Sequence, residues 1–146
     1  MNWKNEAMDR LRQYDAVRLA LRNIPQEIQR LEAASTAIAG ARTDGCAILS
    51  GGSRREEAVL DNLMSRQELQ WQLEQTQSWL SCMDRALSFL TGEEKLVLQR
   101  FYIHPEKGSV ERLCSELGVE SSSVYRKRDK ALRRFATALY GNVEAS

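Results

Sequence analysis

Over the first forty positions, a mostly apolar stripe recurs at alternating spacings of three and four: Tyr14, Val17, Leu21, Ile24, Ile28, Leu31, Ser35 and Ile38. This period places them on one stripe and predicts one long amphipathic helix, or two in line. Pro25 falls inside the stripe, removes a backbone donor and disfavours helical geometry at Ile24, so a kink or fresh start is expected near Asn23. A second stripe follows the same spacing through Val59, Asn62, Arg66, Leu69, Leu73, Thr76, Leu80, Met83, Leu87 and Leu90. It covers about 32 residues, or roughly 48 Å of helix. Residues 40–56, GARTDGCAILSGGSRRE, are rich in Gly and Ser at both ends and predict a mobile loop between the stripes. Residues 1–89 therefore read as an antiparallel, coiled-coil-like hairpin. A single helix pair buries one seam, and polar Asn62, Arg66 and Thr76 lie on it with Trp71 and Trp79 beside it. The apolar surface left over is expected to meet another chain or the C-terminal domain, and a homodimer is the preferred reading, built on Leu21, Ile28, Leu31, Leu69, Leu73, Trp71, Trp79 and Leu80.

Beyond Leu90 the pattern shortens into compact helices. Thr91 and Glu94 form the S/T-x-x-E capping box that opens a helix, and Leu96, Val97, Leu98, Phe101 and Tyr102 give it a broad buried face. The segment His104–Gly108 ends it. Ser109 is expected to cap a short helix with Val110, Leu113, Cys114 and Leu117 inward, and Gly118 supplies the left-handed residue that stops it. A further helix starts near Ser121. Two helices joined by a short turn holding a Gly make the helix-turn-helix pattern, whose second helix enters the major groove of DNA. Cys114, four positions before that Gly, is small enough for the helices to approach closely. The expected division is thus a hairpin over 1–89, a DNA-binding domain over 90–141 and a tail over 142–146, all-α throughout.

The last helix has two faces. Val124, Ala131, Leu132, Phe135 and Leu139 form its core side, whereas Ser122, Tyr125, Arg126, Asp129, Lys130 and Arg133 recur on the other. Small hydroxyls at the helix start let the backbone approach bases and phosphates, where the helix dipole also favours anions. Arg126 can donate two bonds to guanine and Tyr125 can reach a phosphate or stack on a thymine methyl, so the start of this helix is expected to meet bases. Lys130, Arg133 and Arg134 lie further along and suit phosphates, which add affinity without sequence information. Lys127 and Arg128 point toward the core edge.

Charge sharpens this picture. The 146-residue chain has a formal net charge of +1, yet six basic residues oppose only Asp129 between Ser121 and Tyr140. Charge gathered on one helix suits a phosphate backbone. Low proline, with abundant Leu, Ala, Glu, Gln, Arg and Lys, favours helix throughout. No apolar run is long enough to span a membrane, and the polar start MNWKNEAMDRLRQYD is unlike a leader, so a cytoplasmic location is expected. Cys46, Cys82 and Cys114 are too dispersed for a disulfide framework or a zinc site, and His104, the sole histidine, has no companion ligand or nucleophile. Gly51-Gly52-Ser53 lacks the Lys of a phosphate-binding loop. No enzyme, cofactor, metal or small-molecule substrate is expected.

The segment LTGEEKLVLQRFYI…VERLCSELGVESSSVYRKRDKALRRF resembles region four of bacterial sigma factors. It is more similar still to the sigma-region-four-like regulators of phages and prophages, of the ArpU and RinA type. The resemblance rests on Phe101–Ile103, Leu117-Gly118, Ser122–Arg126 and Lys130–Leu132, and more weakly on the long helices and the SGGS loop. It implies a sequence-specific DNA-binding regulator of late genes, with contact to RNA polymerase as a further option. The positions matching sigma-factor base contacts are Ser121, Ser122, Tyr125 and Arg126; Lys127 departs from the family, which usually buries an aliphatic residue there. Two other readings fit the same pattern: a small terminase subunit or related DNA-packaging protein, and a protein-interaction module with a basic helix.

Overall fold

The computed structural model describes residues 2–40 and 49–143. These are helical almost throughout, with no strand among the described residues. The elements are α1 (Trp3–Gly40), α2 (Leu49–Ser88), α3 (Gly92–Leu98), a π-helical turn (Gln99–Ile103), α4 (Ser109–Leu117) and α5 (Ser121–Tyr140). Helix α1 runs unbroken through Pro25, so no fresh start occurs at Asn23. Long runs of good helix formers on both sides outweigh the one lost backbone bond. The expected loop over 40–56 is also shortened: α2 begins at Leu49 and includes Gly51 and Gly52, while 41–48 lie outside the described residues. Each Gly costs about 1 kcal/mol in a helix, which propagation from a 40-residue element absorbs.

The chain forms two compact units, residues 1–18 with 79–146, and residues 19–78. The domain boundary expected at 89/90 is therefore displaced. Ala7 and Leu11 of α1 and Met83 and Ala86 of α2 join Leu90, Leu98, Tyr102, Ala131, Leu132, Phe135 and Ala136 in one buried core. The ends of the long helices are part of the body that carries α3 to α5. Val143 is buried in that core too. A smaller cluster of Val97, Leu113 and Val124 fixes α4 against α3 and α5, with Cys114 and Leu117 packed at its edge.

In the second unit, Asn62 of α2 is buried, donates Nδ2 to the Leu31 carbonyl at 2.8 Å and accepts from Arg66 Nε at 2.8 Å. A lone amide satisfied in this way pins the register of two helices, because any slip would leave it unpaired. Leu21, Ile28, Leu31, Leu69 and Leu73 are half-buried in this unit. Trp79 and Leu80 belong to the first unit, where Leu80 is buried and Trp79 packs on the core. Of the residues expected to meet another chain, only Trp71 is largely exposed.

Candidate nucleic-acid interface

Helix α5 is placed by the turn before it. Gly118 stops α4 with φ +65°, its amide reaching the Cys114 carbonyl, and Val119 N donates to the same oxygen at 3.2 Å. A left-handed residue with both bonds to one carbonyl closes the helix and turns the chain back within three residues. Glu120 is then extended (φ −78°, ψ 162°), and its carbonyl accepts from Val124 N at 3.1 Å to start α5. The start of α5 carries no side-chain cap. Ser109 likewise does not cap α4; left-handed Gly108 holds the cap position without a side-chain bond.

The buried face of α5, Val124, Ala131, Leu132, Phe135 and Ala136, orients everything else on it. Opposite lie Ser122, Arg126, Lys130 and Arg133, all exposed and spaced i, i+4, i+8 and i+11, which puts them in one column along the helix. Ser121 and Tyr125 form a neighbouring column, turned about 100° from the first. The four expected base-reading residues are thus two adjacent i, i+4 pairs.

Tyr125 is 43% exposed, yet its ring is not loose. It lies 6.0 Å from Phe101 of the π turn at an interplanar angle of 56°. The Arg128 guanidinium sits 5.1 Å from the Tyr125 ring centre and 5.3 Å from that of Phe101. Asp129 Oδ1 accepts from Arg128 Nε and Nη2 at 3.2 and 3.1 Å, which holds the guanidinium over both rings. Such cation–π contacts are worth about 0.5–1 kcal/mol each near the surface. Arg128 therefore acts inside the fold, as its core-edge position suggested. Phe101 and Arg128 were not recognised from sequence as supports for Tyr125, because their pairing crosses from the π turn to α5.

Two further charges of α5 are tied to α3. Lys127 Nζ pairs with Glu93, which explains a lysine where an aliphatic side chain was expected: its methylenes cover the core edge and its amine finds a carboxylate on α3. Arg134 departs from the phosphate-facing role expected of it. Its Nε donates to Glu94 Oε1 at 3.1 Å and approaches Oε2 at 2.8 Å, poorly aligned for a second bond, while the guanidinium stacks 4.7 Å from the Phe89 ring centre. Glu94 also completes the capping box of α3: Thr91 N donates to Oε1 at 3.0 Å and Glu94 N to Thr91 Oγ1 at 3.2 Å. Burial would raise the Glu94 carboxyl, but its bonds from Thr91 and the adjacent Arg134 outweigh this and hold it below the usual carboxylate range. Glu93, Glu94, Lys127, Lys130 and Arg134 line a cleft of about 350 Å³ beside Thr91 and Val97. Lys127 pairs there with Glu93 and Arg134 with Glu94, which seats α5 on α3.

His104 closes the π turn, its amide donating to the Gln99 carbonyl at 2.7 Å. Its ring is shared between Asp15 of α1 and Gln99, whose Nε2 lies 3.3 Å from Nδ1. Among the described residues no group of three or more His, Cys, Asp or Glu is placed to hold a metal, and no helix is long and apolar enough to cross a membrane. Cys82 and Cys114 carry free thiols, and Cys46 lies outside the described residues. No protein-family model, curated protein or solved structure matches this chain.

Proposed function

We propose that this protein is a non-enzymatic, sequence-specific double-stranded DNA-binding regulator of transcription, with α4 and α5 as its helix-turn-helix and α1 with α2 as a helical hairpin. The observation that carries the reading is the exposed column Ser122, Arg126, Lys130 and Arg133, opposite a fully apolar face that fixes its direction. A column of this kind matches a groove whose walls are phosphates and whose floor presents base edges. The two small serines in the first turn allow close approach of the backbone. Intramolecular pairing of Lys127, Arg128 and Arg134 supports the division of labour, because it leaves Arg126 and Lys130 of the outward column to supply charge for a partner. The resemblance to phage and prophage sigma-region-four-like regulators favours transcription as the process, with RNA polymerase as a second partner.

The test is binding to duplex DNA with single substitutions. Arg126→Ala relaxes discrimination at one or two base pairs, each worth about 1–3 kcal/mol. Arg133→Ala weakens binding to all sequences alike and lowers the salt slope by about one. Equal loss from both substitutions on specific and random DNA would refute the assigned roles.

A further inference from the structure

Helix α2 carries a second apolar stripe on the side away from Asn62 and Leu69. Leu60, Met64, Gln67 and Trp71 follow one another at spacings of four, three and four, and Leu63 flanks them. Leu60, Leu63, Met64 and Trp71 are 54%, 40%, 58% and 61% exposed. The stripe lies wholly within the second unit, residues 19–78. The four side chains together present roughly 400–500 Å² of apolar surface, at the upper end of what monomers leave to water. The heptad positions that would extend the stripe are Glu57 and Glu74, so it stops at both ends in charge. Asp61 and Glu68, one heptad apart, lie along one of its long edges.

We propose that this stripe is the surface through which two copies of the chain associate, α2 against the partner's α2. Two such patches with their rims bury about 1,000 Å² or slightly more, the lower bound for a specific interface, which sets the association as weak and concentration-dependent. A heptad seam is self-complementary when it meets its own copy, and the charged ends at Glu57 and Glu74 restrict the register, because any shift by a heptad would cover a carboxylate and uncover Trp71. With the two helices antiparallel, the Asp61 and Glu68 edge of one copy runs beside the same edge of the other, so like charges face one another across the seam. Each such exposed pair weakens the dimer by about two-fold and is relieved by salt. The stripe is therefore expected to associate more tightly at high ionic strength. This separates it from DNA binding, which salt weakens, so the dimer and the DNA reading fail independently.

The experiment is sedimentation equilibrium of the full chain without DNA, from about 5 to 500 μM and from about 50 to 500 mM NaCl, conditions chosen to span weak association and its screening. The expected result is a mass rising toward twice the monomer with concentration, with a Kd about two- to five-fold tighter at the higher salt. Trp71→Glu and Met64→Glu each hold the chain monomeric, with helical circular dichroism unchanged because both side chains are exposed. Glu68→Gln tightens association at low salt, a gain of function that misfolding cannot imitate. A monomer at every concentration, a dimer indifferent to Trp71→Glu and Met64→Glu, or association that weakens with salt would each overturn the proposal.

Discussion

Replacing Glu94 by alanine removes two interactions at once. The carboxylate accepts the Thr91 amide and holds Arg134 of α5 against α3, whereas the Glu94 amide keeps its bond to the Thr91 hydroxyl. Loss of the capping contribution costs about 1 kcal/mol. The Arg134 pair is a partial case: Glu94 is only 13% exposed but Arg134 is 39% exposed, so screening limits the pair and the stranded guanidinium to about 1 kcal/mol more. The expected destabilisation is about 2 kcal/mol, which lowers Tm by about 4–8 °C for a chain of this length. Glu94→Gln keeps an oxygen for the Thr91 amide but loses the charge, and should cost about half as much. Thr91→Ala removes the hydroxyl acceptor alone, at about 1 kcal/mol, and the double variant should cost less than the sum, because the two residues cap one another. Urea and thermal unfolding followed by circular dichroism give these values. Wild-type stability in Glu94→Ala, or full additivity with Thr91→Ala, would refute the reasoning.

Three further predictions follow from single sites. Gly118→Ala should destabilise by about 1–2 kcal/mol from left-handed backbone strain alone, since an added Cβ meets nothing within 4 Å, and Gly118→Asn should cost less. Tyr14, whose hydroxyl bonds to Asp84, has its pKa pushed up to about 12 by burial and then by that carboxylate. The phenol is held neutral in the folded state, so its stabilisation is complete below pH 10 and lost as pH rises from about 10 to about 12; Tyr14→Phe should flatten unfolding free energy across that window. Burial shifts Tyr102 and Tyr140 in the same direction, so part of the alkaline loss persists in that variant. Arg128→Gln should release the Tyr125 ring, shifting its aromatic proton resonances and those of Phe101 in the absence of DNA, whereas unchanged shifts would exclude the clamp.

The elements that announce themselves locally were legible in the sequence. The capping box at Thr91 and Glu94 uses neighbouring residues, and so does the Gly118 stop; both appear in the structure as read. Helix α2 shows where such reading ends. It carries two heptad stripes, one through Asn62, Leu69 and Leu73 and another through Leu60, Met64 and Trp71, and periodicity cannot say which face another helix will cover. The choice depends on the pairing of Asn62 with the Leu31 backbone, a contact 31 residues away in sequence. The same holds for Arg134. Its spacing suggested a phosphate-facing residue, but Glu94, 40 residues earlier, and the Phe89 ring claim it. The unit boundary was hidden for a related reason: continuous helices give no compositional break at Arg18 or Trp79, where packing changes partner.

Selection of duplexes bound by the full-length chain from random DNA tests the central claim most directly, followed by affinity measurements on the selected and random sequences across salt. The account predicts one recurrent motif, bound more tightly than random DNA, with log K falling linearly with log salt and with discrimination lost in Arg126→Ala. No enrichment, together with no binding to any duplex at low salt, would contradict it.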